Sequence, residues 1–512
     1  MKKVFRKWWK TVAALVFILL LAFLIRLTNL TILPVFADEA IYIRWSQIMH
    51  SEPTLRFLPL SDGKQPLFMW VLMVVISRFD DPLIAGRLVS VFAGLGTIIG
   101  VFSLSYLIFK SNLAALVSSL IWAISPYAIF FDRMALVDSM LAMFGIWTVF
   151  FAIVTVRTLR LDFAMITGFL LGAAHLTKSP SIFFVMMLPV TWLFLKKFDK
   201  RHLVKLVGLS IVYYAISFII YNILRLGPNF QLIASRNFDY VYPVTRLFNN
   251  WRDPLISHLG MFWDWLVKLG PWPLVLLVIT GVTISFKKYT KELLVIGLWF
   301  IVPVLIQAEY GKVFAARYVF FSIPFMVILA GAGFVKRKSI SVILLLVFVA
   351  ASLGSNFHLL TKPAKAALPE SERNGYLEEW TSGIGIREVA EFIKLQNSKS
   401  PNLQIVVGTE GYFGTLPDGL QMYIEDLPNV NVIGVGVDLK EVPTSLVESK
   451  VSGNKTYLVI NKSRLLFDPA NFGLELIAAY PKEPRKPDTW HYTLKGSQEV
   501  LYLFELTGDY AD

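Results

Sequence analysis

Long apolar runs, most of them separated by short polar turns, dominate the first 358 residues of the chain. A helix needs roughly 20 apolar residues to cross the hydrocarbon core, so these runs predict transmembrane helices. Candidate spans lie at 11–30, 83–109, 113–130, 134–156, 163–176, 182–195, 203–224, 272–286, 293–308, 318–335 and 340–357. Several neighbours are short and closely spaced, so the pattern predicts a polytopic α-helical membrane protein with about 11 to 13 transmembrane helices. The run 67–77 is apolar but short and follows Lys64-Gln65-Pro66. Counting it as a crossing would reverse every later helix.

Positive charge decides between the two arrangements. With the N-terminus inside and 67–77 along the outer interface, the inner turns hold Lys110, then Arg157 and Arg160, then Lys196, Lys197, Lys200, Arg201 and Lys205. Lys287, Lys288 and Lys291 follow, and then Lys336, Arg337 and Lys338. Every inner turn then carries a cation, as the positive-inside rule requires, whereas the reversed arrangement would export these clusters. The same distribution changes the meaning of the net charge of +13, which in a soluble chain would suggest nucleic acid. Here it reads as a topology signal, and no nucleic-acid partner is expected. The start, with Lys2, Lys3, Arg6, Lys7 and Lys10 before an apolar stretch, resembles a signal peptide but lacks a clear small-residue cleavage site. It is expected to be a retained first span. The chain has no cysteine, which excludes disulfides and thiolate metal sites.

Beyond about residue 359 the long apolar runs stop. Helix-like stretches at 386–396 and 419–426 alternate with β-rich runs at 404–408, 430–435, 456–460, 474–479 and 499–506. The division is therefore 1–358, transmembrane, and 359–512, a C-terminal extracytoplasmic α/β domain. Gly408-Thr409-Glu410-Gly411 is too weak a match to name a nucleotide site.

With that topology the unusual charged residues fall on the outer side. They are Asp38-Glu39-Ala40-Ile41-Tyr42 and Lys64; Asp132, Arg133 and, further in, Asp138; Lys178; and Glu309, Lys312 and Arg317. Ionisable groups near or within spans are costly and usually face a bundle interior or a water-filled cavity. Carboxylates beside several Lys and Arg suit a phosphate-bearing lipid headgroup: cations hold the phosphate and a carboxylate accepts a proton. Each has a plainer alternative. Asp38 could N-cap a short amphipathic helix, with Glu39 favourable at its positive end. Lys64 could be a loop cation, Arg133 a snorkelling anchor, Lys178 a helix-end cation and Arg317 a boundary anchor. Asp138 could form an internal ion pair with Arg133, and His175 could simply be packed or hydrogen-bonded.

The order of these residues resembles the GT-C membrane glycosyltransferases, specifically the dolichyl-phosphate-mannose protein mannosyltransferase and aminoarabinose transferase group. The carrying residues are Asp38-Glu39-Ala40 with Tyr42, Lys64-Gln65-Pro66-Leu67-Phe68-Met69-Trp70, and Ala85-Gly86-Arg87-Leu88 through Gly94. Ser125-Pro126 leading to Arg133-Met134-Ala135-Leu136-Val137-Asp138, then Leu176-Thr177-Lys178-Ser179-Pro180, and Arg317-Tyr318 with Pro324 complete the set. The resemblance implies a GT-C-like transmembrane catalytic domain in an inverting enzyme of the plasma membrane. That enzyme moves a sugar from a polyprenyl-phosphate donor to a hydroxyl of a glycan, lipid or protein acceptor. It implies Asp38 as general base supported by Glu39, with Lys64, Arg133, Lys178 and Arg317 at the donor phosphate and Tyr42 and Asp138 supporting. Family members often have Lys-Pro-Pro where this chain has Lys64-Gln65-Pro66, and some hold a metal through an acid just before that Lys, where Gly63 stands here. No cofactor follows from the residues; a divalent metal is the one the family allows, and Gly63 argues against it. Ile41 followed by Arg44 departs from the aminoarabinose transferase pattern and argues against transfer to lipid A. Transfer of a preassembled oligosaccharide and a transporter are the competing readings. Transporters tend to show repeats and midplane charges, neither of which is evident here.

Overall fold

The computed structural model describes residues 2–336 and 338–508. Arg337, one of the inner cations, lies outside the described residues, as do the side chains of the basic residues 2–7. All eleven apolar runs are helical. Among the described residues six helices are long and apolar enough to cross a membrane: Trp8–Leu27, Pro82–Phe109, Val137–Thr158, Lys200–Leu226, Pro273–Tyr310 and Ser339–Thr361. A seventh arises if Asn112–Ile124 and Pro126–Asp132, bent by 58° at Ser125, count as one broken span. Pro126 sets that break, because a proline excludes helical backbone at the residue before it.

The runs 272–286 and 293–308 are one helical stretch, Pro273–Tyr310, interrupted where Tyr289 leaves helical geometry. The runs 163–176, 182–195 and 318–335 become shorter helices, Leu161–Thr177, Ser179–Phe194 and Phe320–Phe334. The apolar helix Leu67–Arg78 rises about 18–20 Å, short of the roughly 30 Å hydrocarbon core.

The chain packs as two compact units. The first comprises Met1–Leu30, Glu52–Val71 and Arg87–Pro369. Glycines let its helices approach closely. A Cβ at Gly168 would meet Ile216 Cβ at 2.8 Å, and one at Gly172 would meet Ile220 Cδ1 at 2.7 Å. This small-xxx-small face of Leu161–Thr177 therefore lies directly on the helix Lys200–Tyr221, as in many membrane helix pairs.

The second unit comprises Thr31–Ser51, Leu72–Gly86 and Glu370–Asp512. Its sheet has five strands: β1 Ile405–Glu410, β2 Val430–Gly436, β3 Lys455–Asn461, β4 Leu474–Pro481 and β5 Val500–Leu506. The order is β2-β1-β3-β5-β4. β1 runs parallel to β2 and β3, and β5 runs antiparallel to β3 and β4. Every β-rich run of the sequence forms one of these strands. β1 is buried throughout, consistent with its central place and its unbroken Ile-Val-Val-Gly run. β4 lies at the edge, largely exposed, and ends on Pro481, which lacks the N–H that a further ladder bond would need. The helices Ile386–Lys399 and Asp418–Ile424 form where expected, and Thr444–Val451 is an additional helix that the sequence pattern did not mark.

Candidate functional site

In the first unit a buried ion pair organises the end of the first span. Arg26 donates from Nε and Nη2 to Asp132 Oδ2 at 3.0 and 2.8 Å, and from Nη1 to the carbonyl of Ala123 at 2.9 Å. Both side chains are fully buried, and Ser139 Oγ donates to Asp132 Oδ1 at 2.7 Å. In hydrocarbon such a pair persists only because each remaining lone pair and proton also finds a partner. The sequence reading put Asp132 in an outer turn and passed over Arg26. A lone arginine inside an apolar run was the signal available for it.

The neighbouring Arg133 grips the carbonyls that follow the first span, those of Arg26 at 3.1 Å, Thr28 at 2.8 Å and Asn29 at 2.6 Å. Its Nη1 is buried without a hydrogen-bond partner among the described residues. Arg87 adds a bond to the carbonyl of Leu30 at 2.7 Å. Unpaired carbonyls at a helix C-terminus attract guanidinium donors, so two arginines, Arg133 and Arg87, collar the end of the first span.

Gly94 belongs to this arrangement by lacking a side chain. A Cβ there would sit 2.3 Å from Asp132 Oδ2. Gly94→Ala is therefore expected to push the carboxylate off Arg26 and lower stability by about 1–3 kcal/mol, the range for overpacking a filled interior. A thermal unfolding scan of the purified variant in detergent checks this, and a wild-type transition would contradict it.

A second cluster unites two of the sequence motifs. Lys178 Nζ lies 2.6 Å from Asp138 Oδ1 and 4.5 Å from the Tyr318 ring centroid. Asp138 thus pairs with Lys178, and the alternative ion pair with Arg133 does not form. Its Oδ2 is buried without a hydrogen-bond partner among the described residues. Gln65 Nε2 donates to Ser179 Oγ at 2.7 Å, so the Lys64-Gln65-Pro66 loop is fastened to the Lys178-Ser179-Pro180 turn. Leu60, Leu176, Leu224 and Ile233 form the apolar core beneath. Lys64 reaches back to Asp62 at 3.2 Å.

Gly63 has φ of +64°, and a Cβ there would meet the Leu232 carbonyl at 2.6 Å and Arg236 Cβ at 2.7 Å. No acidic side chain fits at that position. Among the described residues no group of three His, Asp or Glu side chains converges as a metal site would need.

His175 Nδ1 is 2.7 Å from Ser181 Oγ, which accounts for its polar edge. Arg317 is half-buried in the short helix Ala316–Tyr318, which Tyr127 secures by donating to the Ala316 carbonyl at 2.7 Å. Glu309 is buried, and neither carboxylate oxygen has a hydrogen-bond partner among the described residues.

Asp38, Glu39 and Tyr42 belong to the second unit, on the helix Ala37–Ser51. The cap of that helix is made by Glu39, whose Oε2 accepts from the backbone N–H of Phe36 at 3.0 Å. This is the reach-back half of a capping box. Asp38 is the second helical residue, so its N-cap alternative does not hold. It is half-buried, whereas Glu39 is fully buried. The helix start is pinned by Ala37 N–H to the Thr381 carbonyl at 3.1 Å and Gly383 N–H to the Val35 carbonyl at 2.8 Å.

The segment holding it is itself anchored: Lys482 Nζ donates to the carbonyls of Glu379 and Ser382 at 3.1 and 2.8 Å. Arg485 joins Glu379 to Glu499 at 2.9 and 3.2 Å. Burial pushes the Lys482 ammonium down to about 8, against the upward pull of Glu499, Glu410 and Glu379. Arg44 pairs with Glu425 at 3.0 Å.

A family model described as dolichyl-phosphate-mannose-protein mannosyltransferase matches residues 63–224, which hold Lys64, Arg133, Asp138 and Lys178. The crystal structure of ArnT from Cupriavidus metallidurans in the apo state is similar, with a TM-score of 0.61 at 15% identity over 96% of this chain and 98% of that one. The same protein bound to undecaprenyl phosphate scores 0.59 at 15% identity over 96% and 99%. At that identity the likeness establishes the fold. No curated protein matches by sequence. The chain resembles the GT-C membrane glycosyltransferases of the mannosyltransferase and aminoarabinose transferase group, and its fold is that of the ArnT structures.

Proposed function

We propose that this chain, a multi-pass protein with the GT-C fold, is a membrane glycosyltransferase that takes one sugar from a polyprenyl-phosphate carrier. The observation that carries the reading is the fastening of the Lys64 loop to the Lys178 turn by Gln65 and Ser179, inside the family-matched segment. Two ammonium groups are thereby held on linked turns, the arrangement an anionic headgroup calls for. The ArnT neighbour holds undecaprenyl phosphate, which supports the same class of donor here.

In this reading Asp38, in the first turn of its helix, takes the proton of an acceptor hydroxyl. The acceptor oxygen bonds to the anomeric carbon, the bond from that carbon to the phosphate oxygen breaks, and a single displacement inverts the configuration. Lys64 and Lys178, with Arg317 and the spare Nη1 of Arg133, offset the charge that grows on the departing lipid phosphate. Glu39 holds the helix start, Asp138 orients the Lys178 ammonium and Tyr42 supports the Asp38 helix. In this reading residues 1–358 form the catalytic transmembrane domain and residues 359–512 lie outside the cytoplasm.

Purified protein in detergent, incubated with radiolabelled polyprenyl-phosphate sugars, should label an extractable acceptor. Transfer only from a polyprenyl-diphosphate oligosaccharide would replace this reading with transfer of a preassembled glycan.

Topology is tested separately. Reporters fused after Asp38 and after Tyr376 should read the outer side, and one after Lys338 the cytoplasm. An outer signal after Lys338 would overturn the placement of 67–77 and the sidedness of the chemistry.

A further inference from the structure

The loop that follows β1 displays two aromatic rings where the rest of it is buried. Tyr412 is 69% and Phe413 56% exposed, whereas Gly411 and residues 414–417 are buried. Large apolar side chains held outward from a packed loop are more informative than scattered surface ones.

The loop is built to hold them there. Gly411 and Gly414 have φ of +75° and +118°, conformations that side chains with a Cβ rarely adopt. Gly411 N–H donates to the Gly436 carbonyl at 2.6 Å, and Gly414 N–H to Asp418 Oδ2 at 2.6 Å. A Cβ at Gly434 would lie 2.3 Å from the Gly411 carbonyl oxygen and 3.0 Å from Tyr412 Cα, so β2 has no side chain where the loop rests on it. In the same loop, Thr415 Oγ1 is buried with no hydrogen-bond partner among the described residues.

The place of the loop within its unit matters as much. It leads into the helix Asp418–Ile424, which packs along the Asp38 helix. A Cβ at Gly419 would stand 3.5 Å from Ala40 Cβ, and Gln47 Nε2 donates to the Met422 carbonyl at 2.9 Å. Both helices begin at the same end of this pair, so Asp38 and the aromatic loop share that end.

We propose that Tyr412 and Phe413 form a stacking platform for a pyranose ring of the acceptor, making the acceptor a saccharide or glycolipid and this loop its binding subsite. The inference rests on Asp38 as the general base, since a base acts on the acceptor and the acceptor's sugar must then reach this end of the Asp38 helix. Sugar rings present apolar C–H faces that lie against the negative face of an aromatic ring. The charge pattern favours a neutral glycan over a lipid surface. Residues 411–417 contain no Lys or Arg, the residues that a loop docking on anionic headgroups would carry.

The test uses full-length protein in nanodiscs with mannopentaose, maltopentaose and cellopentaose as probes, read by saturation-transfer NMR. At least one should receive saturation from the protein's aromatic protons, and Tyr412→Ala with Phe413→Ala should weaken its binding roughly tenfold or more. The exchanged pair Tyr412→Phe with Phe413→Tyr keeps both rings and should retain binding. No binding of any probe to the unaltered protein, or equal binding to the alanine pair, would overturn the proposal. The chain has no cysteine, so Phe413→Cys carrying an environment-sensitive fluorophore reports from this loop alone. Quenching of that label by spin-labelled lipids would place the rings in the bilayer and also overturn it. Asp38→Asn should lower transfer roughly 10²–10⁴-fold while oligosaccharide binding persists. Transfer that survives Asp38→Asn would remove the base and leave the binding result to stand or fall by itself.

Discussion

Asp38→Asn is expected to lower the rate of sugar transfer roughly 10²–10⁴-fold while the protein keeps its stability. The amide keeps the shape of the carboxylate but cannot accept the acceptor's proton. Stability should survive because the helix start depends on Glu39, whose carboxylate takes the Phe36 N–H, and on the bond from Ala37 N–H to Thr381. Glu39→Gln retains an acceptor oxygen for that cap and should cost little in rate. Glu39→Ala should destabilise by about 0.5–2 kcal/mol, the usual value of a lost N-terminal cap. Initial rates with a labelled donor, beside thermal scans of all three variants, separate catalysis from capping. Full transfer by Asp38→Asn would dismiss this residue as the base and make Asp138 the next carboxylate to examine.

Lys178→Ala is expected to reduce donor turnover on the order of ten- to hundredfold, the value of a charge-assisted contact worth about 1.5–3 kcal/mol. It should also destabilise the fold, because Asp138 is only 3% exposed and would lose the ammonium 2.6 Å away. Breaking one side of a buried pair leaves an uncompensated charge, typically a matter of about 3–5 kcal/mol. The informative variant is therefore the pair Lys178→Met with Asp138→Asn, which removes both charges at similar volume. It should recover stability without recovering turnover. If turnover returns as well, Lys178 serves Asp138 and the phosphate is held elsewhere.

Much of this arrangement can be read along the chain because its causes are local. A run of apolar residues long enough to enter hydrocarbon must satisfy its backbone internally, so each of the eleven runs is helical. Alternation and β-branched residues bounded by turns sufficed for β1 to β5, whose bounds differ from the reading by two residues at most. Asp38, Lys64, Asp138 and Lys178 stood out for an equally local reason, the cost of charge beside apolar sequence.

What the chain could not disclose depends on partners far away in sequence. Arg26 and Asp132 are 106 residues apart, and only folding shows that each makes the other tolerable. Asp138 lies five residues from Arg133, yet its cation is Lys178, forty residues on, because Arg133 is drawn to the open carbonyls ending the first span. Asp38 looked like a cap, and the Phe36 N–H chose Glu39 instead. Residues 31–51 and 72–86 sit among apolar spans in sequence but pack with residues 370–512, a contact set over hundreds of residues that no local pattern encodes. Periodicity and charge report what each segment needs from its surroundings. Which segment supplies it is decided only when the backbone brings carbonyls, guanidiniums and carboxylates within about 3 Å of one another.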